Sequence, residues 1–102
     1  MKNCNCKKCQ EFRKTHDFEF IDIYGLNYTI AKFLAPRLKA FEEETFSHPV
    51  CMTLKEWKSK IKKMVIAFEI LAKDDIIVRP KLNKTIEEGL SLFREYFRDL
   101  WI

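Results

Sequence analysis

Residues 53–71 read TLKEWKSKIKKMVIAFEIL. Thr53 and Glu56 stand three apart directly before an apolar pattern, the signature of a capping box at a helix start. Trp57, Ile61, Met64, Val65, Phe68 and Leu71 then recur at spacings of four and three. At 100° per residue these side chains share one side of a helix, which is expected to run to about Lys73. Ile66 and Ile70 point almost opposite to that stripe.

Working outward, Ser47-His48-Pro49 marks a turn before this helix. Upstream of the turn, Ile30, Phe33, Leu34, Leu38 and Phe41 make one broad apolar face. They predict a first helix capped by Asn27 and running to about Thr45. Pro36 lies inside it, removes the hydrogen bond to residue 32 and is expected to kink it. Phe18 to Ile23 alternates weakly and reads as a short extended lead-in, broken by Gly25.

On the other side, Asp74-Asp75 is expected to end the second helix, with Ile76 to Pro80 as a connector. Thr85 and Glu88 form another capping-box pattern, although the third helix can begin as early as Lys81. Its stripe is Ile86, Leu90, Phe93, Phe97, Leu100 and Trp101, with Gly89, Leu92 and Tyr96 as an apolar shoulder. Gly89 costs roughly 1 kcal/mol of helix propensity relative to Ala, which points to a close helix approach there. The expectation is an all-α fold: a compact three-helix bundle with a proline-kinked first helix. A basic, cysteine-rich segment (1–17) precedes the helical domain (18–102). The second apolar faces, Ile66/Ile70 and Gly89/Leu92/Tyr96, suggest a homo-oligomer.

The composition agrees. At 102 residues the chain fits one domain. Gly 2 and Pro 3 are too few for a collagen-like or loop-dominated chain, and Phe 9, Trp 2 and Tyr 3 supply core-sized side chains. No apolar run approaches the ~18–20 residues that span a bilayer. The first residues are polar and unlike a signal peptide, so a cytoplasmic protein is expected. The net charge of +4 sits in residues 1–16, which hold five basic residues against Glu11, while residues 17–102 hold fourteen of each sign. The basic character therefore belongs to the N-terminal arm, not to the body.

One stretch resembles a known family. Residues 26–41, LNYTIAKFLAPRLKAF, are similar to a pattern in a family of small bacteriophage and prophage helical proteins. The pattern continues with Leu54 to Trp57, Met64 and Ala67-Phe68-Glu69, and closes with residues 88–101, EGLSLFREYFRDLW. The likeness runs from about residue 24 to 101. It implies a phage origin, a bacterial host cell and an all-helical fold. The chain departs from the pattern at Lys58, Lys60 and Lys62, where acidic residues are common, and in its cysteine-rich start.

Two constellations could carry chemistry. By helical angle Arg37 lies among Ile30, Phe33 and Phe41, and arginine is almost never buried unpaired. It calls for Glu69, a free carbonyl near Pro36, or a ligand phosphate. With Tyr28, Lys32 and Lys39 it could ring a phosphate-bearing ligand, the guanidinium by paired hydrogen bonds and the lysines as point charges. Separately, Cys6-x-x-Cys9 is a zinc half-site, and His48-x-x-Cys51 offers a second half for a tetrahedral Cys3His set. His16 could replace His48, and Cys4 could replace Cys51. The alternatives are free thiols and redox chemistry, since Lys7 and Lys8 could lower a thiol pKa.

There is no Gly-rich phosphate loop, no His-Glu-x-x-His and no nucleophile elbow, so a non-enzymatic protein is expected. The leading expectation is a phage binding protein that sequesters a host nucleotide-type signal, as counter-defence, at the Arg37 cluster. The second is an inhibitor or adaptor that docks a host enzyme through Ile66, Ile70, Leu92 and Tyr96. The third is a zinc-stabilised protein binding nucleic acid through its basic arm.

Overall fold

The capping box at Thr53 forms. Thr53 Oγ1 accepts the Glu56 backbone N–H at 3.2 Å, and Glu56 Oε1 accepts the Thr53 N–H at 3.1 Å. In the computed structural model, which describes residues 6–73 and 80–102, the helices are α1 (Lys7–Thr15), α2 (Ile21–Tyr24), α3 (Leu26–Glu44), α4 (Leu54–Leu71) and α5 (Pro80–Tyr96). A 3-10 turn, Phe97–Asp99, follows. The fold is all-helical among the described residues. No described helix is long and apolar enough to cross a membrane. The expected helix end at Asp74-Asp75 and most of the connector lie outside the described residues.

α4 is the centre. It buries Trp57, Ile61, Met64, Val65 and Phe68 of the stripe read from sequence, adds Ala67 to them, and leaves Leu71 half-buried. α3 packs along one side of it and α5 along the other, whereas α3 and α5 do not pack on each other among the described residues. The three long helices therefore form a layer with α4 in the middle, not a closed bundle. The dimensions follow: 52 × 33 × 19 Å, with a radius of gyration of 16.6 Å against ~13 Å for a compact domain of this length.

Gly89 sets the α4–α5 contact. A Cβ there would fall well inside contact distance of Ala67 Cβ and 2.7 Å from the Lys63 carbonyl oxygen. The sequence-predicted close approach is thus an approach within the chain. Tyr96 stands edge-on to Trp57 at 5.5 Å, and Phe93 edge-on to Phe68 at 5.0 Å. Gly89, Leu92 and Tyr96 are consequently spent on the fold's own core and do not form an open face. Of the α4 pair, Ile66 is exposed and Ile70 half-buried.

α3 faces α4 with different residues from those expected. Ala31, Ala35 and Leu38 are buried, with Leu34 and Phe41 half-buried beside them, while Ile30 and Phe33 are exposed. Two alanines one turn apart let the α3 backbone close on α4, and that contact rotates the bulkier Ile30 and Phe33 outward. α3 runs continuously through Pro36 from Leu26 to Glu44, and its N-cap is Gly25, not Asn27.

The segment from Phe18 to Ile23 is not extended. It holds a turn and α2, and Phe18 and Phe20 gather around Phe12 of α1. Phe12 stacks on His16 at 3.7 Å and meets Phe18 and Phe20 edge-on. Arg13 Nε donates to both Glu19 carboxylate oxygens at 2.8 Å. The alternation in the sequence reflects this aromatic cluster, not a pleated strand.

Candidate functional site

The four residues expected to ring an anion do not converge. On α3, at 100° per residue, Tyr28, Lys32 and Lys39 fall within about 40° of one another, and Arg37 lies about 180° round from Tyr28. Arg37 is exposed. Its guanidinium lies 3.7 Å over the Phe33 ring, and Nη1 donates to the Phe33 carbonyl oxygen at 2.9 Å. The reading of Arg37 as lodged in the apolar face is therefore corrected. The face that packs on α4 is the one centred on Ala31, Ala35 and Leu38. Among the described residues no ion pair joins Arg37 to Glu69, which is itself exposed.

Tyr28 and Lys32 do share a hollow of about 360 Å³, lined also by Ile21, Asp22, Gly25 and Thr29. Lys32 Nζ stands 4.9 Å from the Tyr28 ring centroid, within cation–π range. The local chain builds this hollow. Asp22 Oδ2 accepts the Glu19 N–H at 3.0 Å, and Thr29 Oγ1 donates to the Asp22 carbonyl at 2.9 Å, pinning α2 to the first turn of α3. The hollow offers one cation, one carboxylate and one aromatic ring. Lys39 is exposed and does not line it.

The cysteine and histidine pairs stand on different elements. Cys6 caps α1, its Sγ accepting the Cys9 N–H at 3.4 Å, and Cys9 is buried. His48 and Cys51 are exposed on the α3–α4 connection, where His48 Nδ1 lies 2.9 Å from the Pro49 carbonyl. Among the described residues no three His, Cys, Asp or Glu side chains are grouped to hold a metal ion. His16, the substitute ligand, is stacked on Phe12 with Nδ1 3.0 Å from the Phe12 carbonyl. Neither imidazole bonds a carboxylate among the described residues.

Sequence reasoning missed a second concavity. The α3–α4 connection and the C-terminal residues enclose about 230 Å³ lined by Ser47, His48, Pro49, Val50, Asp99 and Trp101. Thr45, 2% exposed, fixes its base by donating from Oγ1 to the Ser47 carbonyl at 3.1 Å. Met52 is buried and donates its N–H to the Pro49 carbonyl at 3.2 Å. Between these anchors Val50 projects entirely into solvent, and Phe46 and Trp101 are 74% and 68% exposed. Phe97 is exposed too, so Phe97 and Trp101 leave the core stripe assigned to them. The 3-10 turn at Phe97–Asp99 breaks the 3.6-residue period there. The signal was present: Phe46 and Val50 are apolar residues that flank the Ser47-His48-Pro49 turn and belong to no helical stripe.

Two titrations mark local structure. The Thr53 backbone and hydroxyl hydrogen bonds hold the Glu56 carboxyl below its ordinary value of 4.5. Desolvation by burial, followed by the Glu95 charge, pushes the Tyr96 phenol up.

Comparison of the chain with known protein families, with curated proteins and with solved structures gives no match.

Proposed function

We propose that this chain is a non-enzymatic protein-binding module, an adaptor or inhibitor that docks a partner protein through the edge where the α3–α4 connection meets the C-terminal residues. The observation that supports this is the pair Val50 and Trp101, apolar side chains that are exposed while lining a shallow concavity, with Phe46 and Phe97 exposed on the same two segments of chain. Interface energy concentrates in aromatic anchors set beside pockets. Here Thr45 and Met52 hold the loop that carries two of them. The resemblance to small phage proteins makes a host enzyme the target class of this reading. The docking surface moves from Ile66, Ile70, Leu92 and Tyr96, of which Leu92 and Tyr96 pack against the core, to this edge.

The test is affinity capture from a bacterial lysate with the wild type, Val50→Asp, Trp101→Ala and Lys62→Ala. One stoichiometric protein retained by the wild type and Lys62→Ala, and lost with the other two, supports the proposal. A partner retained equally by all four contradicts it.

A second reading, capture of a nucleotide-type anion, is supported by the Tyr28–Lys32 hollow. Its test is a melting-temperature shift with a panel of cyclic and adenine dinucleotides. Lys32→Ala should remove the shift and Arg37→Ala should leave it.

A further inference from the structure

α3 is an outer helix of the layer, and its far side carries an ordered stripe. Leu26, Ile30 and Phe33 are 51%, 44% and 56% exposed, and Arg37, Ala40 and Glu44 are exposed along the same line. The intervals are 4, 3, 4, 3 and 4, the alternation of a coiled-coil seam. They are also a palindrome about residue 35. In an antiparallel pair related by a two-fold axis at that point, position i meets position 70 − i. Leu26 then faces the partner's Glu44, Ile30 faces the partner's Ala40, and Phe33 faces the partner's Arg37.

We infer that α3 pairs antiparallel with α3 of a second copy of this chain along this stripe. Three observations specify a second copy over an unrelated protein. The spacing is self-complementary, as an isologous two-fold interface requires and a foreign partner does not. The chemistry is self-complementary as well. Each guanidinium, already 3.7 Å over its own Phe33 ring, gains the partner's Phe33 on its other side, and large Ile30 meets small Ala40. The helix end is complementary too. α3 begins at Gly25 with no side-chain cap and no acidic residue in its first turn, and the partner's Glu44 brings a carboxylate to that positive end. This pairing uses none of the proposed docking edge, so either stands without the other.

The experiment is sedimentation velocity of the full chain from micromolar to millimolar concentration, with Phe33→Lys and Phe33→Glu. The wild type should show a concentration-dependent doubling of mass. Phe33→Lys, which sets a lysine against the partner's Arg37, should raise the dissociation constant at least ~10-fold. Phe33→Glu should dimerise more tightly than Phe33→Lys, because its carboxylate meets that same arginine. If Phe33→Lys loses its helical circular dichroism, Ile30→Lys takes its place with the same expected loss. A wild type monomeric throughout overturns the inference. So does a dimer indifferent to the substitution at Phe33 or Ile30. Equal weakening by Lys and Glu at position 33 overturns the antiparallel register.

Discussion

Replacing Gly89 with alanine tests the packing of the helical layer. On an isolated helix the change is favourable, by about 1 kcal/mol of helix propensity. Here the new Cβ meets Ala67 Cβ and, at 2.7 Å, the Lys63 carbonyl oxygen. A flexible side chain would swing away, but a carbonyl inside α4 is fixed by its own hydrogen-bond ladder, so α5 must move outward. Overpacking of this kind costs about 1–3 kcal/mol. Two simultaneous contacts, one to backbone, argue for the upper end. Setting ~3 against the ~1 kcal/mol gain leaves a net loss of about 2 kcal/mol. For a domain near 100 residues that is a fall in Tm of roughly 8–16 °C. Thermal unfolding by circular dichroism reads it, with urea denaturation as a second measure. Ala67→Gly removes one of the two contacts at its own cost of about 1 kcal/mol of helix propensity, so the loss from Gly89→Ala should be smaller in an Ala67→Gly background than in the wild type. A Gly89→Ala protein as stable as the wild type, or more so, would refute the close α4–α5 approach.

Three further outcomes follow from the same geometry. The Glu56 and Glu19 carboxyls are held below 4.5, by Thr53 and by the Arg13 hydrogen bonds respectively. Their stabilisation is present above that value and is lost as pH falls through the depressed folded values. Melting temperature should therefore drop below about pH 4.5, less steeply in Glu56→Gln, and an unchanged slope would contradict the role of the capping box. In a Cys4→Ser background under native conditions, exposed Cys51 and Cys6 should react rapidly with a thiol reagent and buried Cys9 slowly. Peptide mapping reads the order, and equal rates would contradict the burial of Cys9. At a concentration where the chain is monomeric, Arg37→Ala should change stability by no more than about 0.5 kcal/mol, as an exposed substitution does, and a large loss in urea unfolding there would restore the buried reading of that residue.

Much of the centre was legible in the sequence. The Thr53–Glu56 box and the Trp57-to-Phe68 spacing identify α4 and its buried side because local signals and tertiary burial coincide there. Gly89 was readable because a glycine in a helix interior needs a reason, and packing supplies one. The orientation of α3 was not legible. Its large side chains, Ile30, Phe33 and Leu34, draw the expected face one way, whereas Ala31 and Ala35 permit the closest backbone contact and decide it. The Arg37 reading failed with it, since burial was inferred from neighbours that themselves face solvent. At the C-terminus a 3.6-residue pattern extends past Tyr96 although the backbone tightens at Phe97, so the pattern points Phe97 and Trp101 to a core that they leave. The apolar residues of the α3–α4 connection had a composition signal but no periodicity.

The proposed function requires that the Phe46–Val50–Trp101 edge be presented to another protein. A photo-crosslinking residue at Val50, the most exposed apolar position described, tests that directly in cells. The expected result is a crosslink to one protein from position 50 and none from position 62 on α4. Crosslinks of equal yield and identity from both positions, or from neither, would contradict it.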